Sequence, residues 1–394
     1  MDDKRNLILA VLLTGLILFG WPYVAERLFP GSTKPAVTQQ QSAPQTPQSG
    51  ANAPGAPALA PSMPTTPLSR ATVLTQSPRV VIETPKLTGS IALKGARIDD
   101  ITLPTYRETV KKDSPPIRLF SPAGTQNAYF AGFGWAGEGV KAPDANTVWQ
   151  ASGQKLTPTS PVTLRWNNGV GQLFEIALSV DANYMITARQ SVTNRSAGAV
   201  AVRSYGFISR AGHSKDPSTW TIHTGPIGVF NEAANYDIEF ETLDEDGISE
   251  RLPSTGGWIG FTDHYWLAAL VPDQKASFDG QCRKGAGQSY QADYSLPPVV
   301  LGPGKALQQS TALFVGAKEV KVLEGYQDAG IALFDRSIDW GWFYWFEKPI
   351  FALLHWLFTQ IGNFGVAIIC LTFIVRGLMF PIAQKQFASM AAMR

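Results

Sequence analysis

Residues Asn6 to Ala25 form a run of twenty without a formal charge, dominated by Leu, Ile, Val and Phe. Twenty residues at about 1.5 Å each cover the roughly 30 Å hydrocarbon layer of a bilayer. A chain carrying this run is organised around a membrane unless the run is removed. Cleavable leaders have an apolar stretch of about 7–15 residues ending at a small-x-small site. Here the run ends in Trp21, Pro22 and Tyr23, bulky residues suited to the headgroup belt, which favours a retained anchor. Lys4 and Arg5 precede it, and the positive-inside rule keeps them in the cytoplasm, with Asp2 and Asp3 weighing little. The chain that follows is therefore expected outside.

From Pro30 to Ser69 the sequence is mostly Pro, Gln, Ala, Ser, Thr and Gly with a single charge, Lys34. Such a segment cannot bury enough apolar surface to fold. Its nine prolines bias it to extended conformations, so it reads as a semi-stiff tether. A period-two pattern takes over from about Arg70 to Lys318. Phe174, Ile176, Leu178 and Val180 share one face of a strand while Glu175, Ala177 and Ser179 share the other. Thr163–Trp166 precedes it across a stretch opening Asn167-Asn168-Gly169, which favours a hairpin. Further strands are expected at Val80–Ile82, Gly89–Leu93, Ile98–Leu103, Met185–Val192, Ala199–Ile208, Trp220–His223, Trp258–Phe261, Tyr265–Val271 and Thr311–Val315. Many short strands without intervening helices predict one large antiparallel two-sheet sandwich. A helical turn or two over Glu319–Asp328 closes it.

A second apolar region follows. Between Lys348 and Arg376 lie 27 uncharged positions interrupted at Gly362-Asn363. The part before the break is dense in aromatics, Trp340, Trp345, Phe346, Phe351, Trp356 and Phe358 among them. Phe343–Gln360 therefore reads as an amphipathic helix on the outer membrane surface, the competing reading being a core helix of the β domain. Phe364–Ala383 is expected to cross the membrane inward, with Lys385 and Arg394 after it and no acidic residue beyond Glu347. Arg376 lies nine positions before Lys385, about 13 Å along a helix. An intramembrane charge usually faces protein or a wet cavity. Thr372, one turn earlier on the same face, would share that cavity. The competing reading is a shortened span with Arg376 at its edge, but Phe364–Val375 has only twelve residues, too few to cross.

Several functions are disfavoured. A net charge of +2 gives no global basic field, so recognition of nucleic acid by phosphate neutralisation is not expected. Cys282 and Cys370 fit neither a disulfide framework nor a zinc site. Gly132-Phe133-Gly134-Trp135-Ala136-Gly137 matches a dinucleotide fingerprint, but Glu138-Gly139 and Pro143 follow where a helix should, so it reads as a loop. His213, His223 and His264 leave open an anchored carbohydrate-binding or epimerase role. A passive periplasmic scaffold is a third reading, and it leaves Arg376 unexplained.

The opening MDDKRNLILAVLL, the Pro-rich tether, HYWLAALVP, LFVGAK, DWGWFYWFEKPIFALLHW and above all LTFIVRGLMFPIAQKQFASMAAMR closely resemble the YidC/Oxa/Alb family of bacterial membrane protein insertases. The resemblance implies a cytoplasmic N-terminus with signal-anchor helix (1–29), a periplasmic linker (30–69), a periplasmic β-supersandwich with closing helix (70–339), and an amphipathic interfacial helix (340–363). A transmembrane helix (364–384), the first of an α-helical insertase core, and the start of a cytoplasmic region (385–394) complete it. Arg376 would line a hydrophilic groove with Thr372 as neighbour. The implied function is insertion, folding and assembly of integral membrane proteins in the inner membrane, independently or with the Sec translocon. No enzymatic step, cofactor, metal or nucleic-acid recognition is implied. Partners would be nascent membrane proteins, Sec components, the lipid bilayer and, as a further candidate, the ribosome. Family members continue through a cytoplasmic hairpin and four more transmembrane helices, whereas this sequence stops at Arg394, so it is expected to be a fragment or truncated product.

Overall fold

A computed structural model describes residues 67–214, 222–341 and 344–392. The expected anchor, the tether up to Thr66 and the first half of the expected strand Trp220–His223 lie outside these residues. All that is described belongs to one compact unit, Asn52–Arg394.

Two sheets form the body. The eleven-stranded sheet runs, in spatial order, Leu252–Thr255, Ser277–Lys284, Ser289–Ser295, Val200–Ala211, Tyr129–Ala136, Arg97–Arg107, Thr88–Ala92, Arg79–Glu83 and Lys155–Leu156, with Pro116–Phe120 and Val299–Leu301 paired alongside. The nine-stranded sheet runs Ala233–Asn235, Gly225–Phe230, Gly257–Thr262, Trp266–Pro272, Ala306–Ala317, Met185–Asn194, Gln172–Val180, Val162–Asn167 and Gln150–Ala151. Pairing is antiparallel except where Arg79–Glu83 meets Lys155–Leu156. Each of the four path ends is a strand of two to four residues.

The alternation read over Leu173–Val180 is observed in the strand Gln172–Val180, with Phe174, Ile176, Leu178 and Val180 all buried. Aromatic side chains join the sheets: Trp135 meets Phe174 edge-on at 5.1 Å, and Tyr129 meets Phe261 at 6.5 Å. Gln190 of the nine-stranded sheet donates to the Gly134 carbonyl of the other at 2.8 Å.

The segment read as a loop at Gly132–Gly137 is instead most of a strand, Tyr129–Ala136, buried along nearly its whole length. The glycines make room for rings from the paired strand. A Cβ on Gly132 would lie 2.8 Å from the Phe207 ring, and one on Gly134 would lie 2.6 Å from that of Tyr205. Ring-over-glycine packing across a ladder replaces side-chain bulk with a neighbour's. Ser289–Ser295 was invisible for a related reason: it is polar in sequence yet buried throughout. Its Asp293 is held by Arg283 at 2.5 Å and by Gln291 at 2.9 Å. A strand covered on both faces loses the alternation that sequence reading relies on.

Among the described residues, the helices α1 (Arg70–Leu74) and α2 (Phe240–Asp246) precede the last long strand, while α3 (Val320–Asp328), α4 (Tyr344–Ile361) and α5 (Phe364–Ala392) follow it. The expected closing helix is α3. The core continues past it, because a 3-10 turn at Phe334–Ser337 buries Phe334, Asp335 and Ser337. Trp258, fully buried, donates from Nε1 to the Ala332 carbonyl at 3.1 Å and packs edge-on against Phe334 at 5.5 Å.

Candidate functional site

The break between α4 and α5 is a pair of caps. Gly362 adopts φ 72° and its N–H reaches the Phe358 carbonyl at 2.8 Å. That left-handed end is one glycine accepts without strain. Asn363 then accepts from the Val366 N–H at 3.2 Å, an N-cap that starts α5. The expected helix Phe343–Gln360 matches α4. Among the described residues one helix is long and apolar enough to cross a membrane, over Phe364–Pro381. The helix runs on through Lys385 to Ala392 rather than ending near Ala383. Gln384–Ala392 contains no glycine or proline and is rich in good helix formers, so Pro381 does not stop it.

Arg376 is exposed on α5, among exposed Phe373, Leu378, Met379 and Phe380. Thr372 lies one turn before it and donates to the Ile368 carbonyl at 2.9 Å, so its hydroxyl is already satisfied within the helix. The two share a face by spacing.

Two clusters that sequence reading missed hold this end of the domain together, one fixing α4 to the β domain and the other tying the two sheets. The first centres on Asp335, which is buried. Its Oδ2 accepts from Tyr344 OH at 2.9 Å and from Lys348 Nζ at 2.9 Å, while Lys348 also pairs with Glu324 at 3.0 Å. Arg336 lies over the Tyr344 ring at 3.7 Å. Burial works against the Lys348 charge, but hydrogen bonds from Nζ to Asp335, Glu324 and Tyr344 outweigh it and hold its pKa above the ordinary lysine value. The available signal was an acid directly after the apolar Ile331–Phe334 stretch and a base at the head of an aromatic helix.

The second centres on Glu319, just before α3. It accepts from Tyr106 at 3.0 Å, from Lys86 at 2.8 Å and from Tyr184. Tyr106 and Lys86 come from the eleven-stranded side and Tyr184 from the nine-stranded side, so one carboxylate ties the two sheets at the end from which the chain leaves. Burial alone would raise its pKa; the three donors outweigh that and hold it below the usual glutamate value. A depressed native pKa stabilises the fold above the unfolded value of about 4.3 and is lost as pH falls through the native pKa. Glu319→Gln is therefore expected to cost about 1 kcal/mol at neutral pH, allowing for its partial exposure. The difference from wild type should shrink toward pH 4 in urea melts. A constant offset across that range would remove the carboxylate from this role.

The three histidines have separate partners. His213 meets Tyr290 at 2.8 Å and Asp244 at 3.2 Å, His223 meets the Pro226 carbonyl at 2.7 Å, and His264 lies tilted against the Tyr265 ring with centroids 4.4 Å apart. A cleft of about 540 Å³ lies between the sandwich end and α4, its walls including Tyr106, Tyr265, Lys318, Trp340 and Phe351. Burial pulls the Lys318 pKa down to about 8, against the attraction of Asp263 and Asp339.

Residues 79–353 match the model of the YidC periplasmic domain. A membrane protein insertase YidC of Zymomonas mobilis is 48% identical across 100% of this chain and 67% of its own length. The chain belongs to the YidC family of membrane protein insertases. Its relatives in Ruegeria and Bradyrhizobium diazoefficiens are 44% and 40% identical, again over the whole chain and over 67% and 68% of their own lengths. Among solved structures, a galactose mutarotase related enzyme from Lactobacillus acidophilus aligns over 60% of this chain and 97% of its own, at TM-score 0.40 and 9% identity. In this insertase the family match runs on through the 3-10 turn into α4, so the Asp335–Lys348 tie lies inside the matched region.

Proposed function

We propose that the chain acts in the bacterial inner membrane to insert, fold and help assemble integral membrane proteins, alone or with the Sec translocon, by a process with no covalent step. In this reading the N-terminus and the end of α5 are cytoplasmic, the β domain is periplasmic and α4 lies in the outer headgroup layer. The observation that carries the proposal is Arg376 with Thr372 on an uncovered apolar helix. A guanidinium there is costly unless water or further helices surround it, and a partly wet groove lowers the cost of drawing a polar segment partway across. A fixed positive charge attracts carboxylates into the groove, and apolar flanks of the substrate then partition into lipid, which supplies the driving force. The test is protease protection of newly made single-span proteins in vesicles carrying the full-length protein. Protected substrate without added nucleotide is expected. Protection no greater than in empty vesicles would overturn the proposal.

A further inference from the structure

Pro381 lies inside α5, which continues past it to Ala392. Proline has no N–H, so the helical bond that residue 381 would give the Gly377 carbonyl is missing, and the proline ring crowds that carbonyl. Nothing nearby on the helix replaces the bond. Between Phe373 and Pro381 the only side chain with a donor is that of Arg376, and the hydroxyl of Thr372 is spent on the Ile368 carbonyl. The position is also open. Gly377 and Pro381 are both exposed, and a Cβ on Gly377 would project into free space. Gly377 lies within the apolar span Phe364–Pro381 and eight positions before Lys385, about 12 Å along the helix. Helical carbonyls point toward the C-terminal end, here toward Lys385. A backbone acceptor at that depth is costly against hydrocarbon and is tolerated where water or another donor reaches it.

Arg376 and Gly377 are adjacent in the chain and opposite in chemistry. A guanidinium only donates and a carbonyl only accepts. The carboxylate of Asp or Glu is served by the first, whereas the carboxamide of Asn or Gln carries an NH2 group that the second can hold. We infer that the Gly377 carbonyl, freed by Pro381, is a second substrate contact of the groove, taking the N–H groups of Asn- and Gln-bearing segments. This rests on the reading of α5 as a groove wall and deepens it. Arg376 serves acids, and the neighbouring acceptor extends the same site to neutral amides.

The test uses the full-length protein in vesicles and protease protection of three single-span substrates that differ only in the translocated segment, which bears Asn and Gln, Asp and Glu, or Ala. Pro381→Ala returns the missing N–H to the helix. Gly377→Val keeps the proline and shields the carbonyl, with free space to receive the added side chain. Both variants should lower protection of the Asn/Gln substrate about fivefold, the effect of losing one neutral hydrogen bond, while the acidic and Ala substrates change little. Arg376→Ala should show the reverse order, falling on the acidic substrate. An equal loss on all three substrates would mean that the proline only shapes the helix and would overturn the inference, as would no loss on any of them. Wild-type protein that protects none of the three would overturn the insertion reading as well, so the two failures are distinct.

Discussion

In the full-length protein, Arg376→Ala should lower insertion of substrates with acidic translocated segments by about tenfold, the effect of losing one charge-assisted contact of about 1.5 kcal/mol. Arg376→Lys should keep much of the activity, since the positive charge remains although the planar fork is lost. Thr372→Val should matter less. Its hydroxyl already bonds to the Ile368 carbonyl, so its removal takes little from a passing substrate. Substrates whose translocated segment carries no acid separate charge from mere wetness: they should be nearly indifferent to Arg376→Ala. The measurement is protease protection of a substrate series in vesicles. Equal insertion of every substrate by wild type and Arg376→Ala would sink the role assigned to the charge.

Trp258→Ala should cost about 3–5 kcal/mol, the usual range for emptying a large aromatic from a core. Two losses combine here. The indole is fully buried and packs on Phe334, and its N–H holds the Ala332 carbonyl, so the substitution also loosens the segment leading to Asp335. At about 2–4 °C per kcal/mol for a domain of this size, the midpoint of thermal melting should fall by roughly 10 °C. Circular dichroism melts of the two proteins decide it. A drop of only a degree or two would mean that the site collapses around the missing ring and that the segment is held by other contacts.

Much of the architecture could be read from the residues, and the failures have physical causes. Strands with one wet face, such as Gln172–Val180, announce themselves by alternation. The α4–α5 break was legible because Gly362 and Asn363 are the residues that helix ends need. Gly132–Gly137 and Ser289–Ser295 were not legible, since burial on both faces removes the alternation and glycine under a neighbour's ring looks like a turn. Arg376 stood out in sequence because a charge among apolar residues is anomalous anywhere. Glu319 and Asp335 did not, because an acid in a domain rich in acids acquires its meaning only from its partners: Lys86 and Tyr106, far off in the chain, for Glu319, and Tyr344 and Lys348, on the next helix, for Asp335.

The four path ends of the sheets have a consequence for a protein of this occupation. An insertase stands beside chains that have left the ribosome without finding their own hydrogen-bonding partners. A long unpaired strand at the margin of its domain would be a template on which such a chain could lay down a further strand and stay. At the four path ends, margins of two to four residues, one of them containing Pro253, offer few consecutive donors and acceptors for that capture, and the five-residue margin Pro116–Phe120 opens with a proline that has no N–H to give. The domain can remain close to its clients without becoming the surface on which they misassemble.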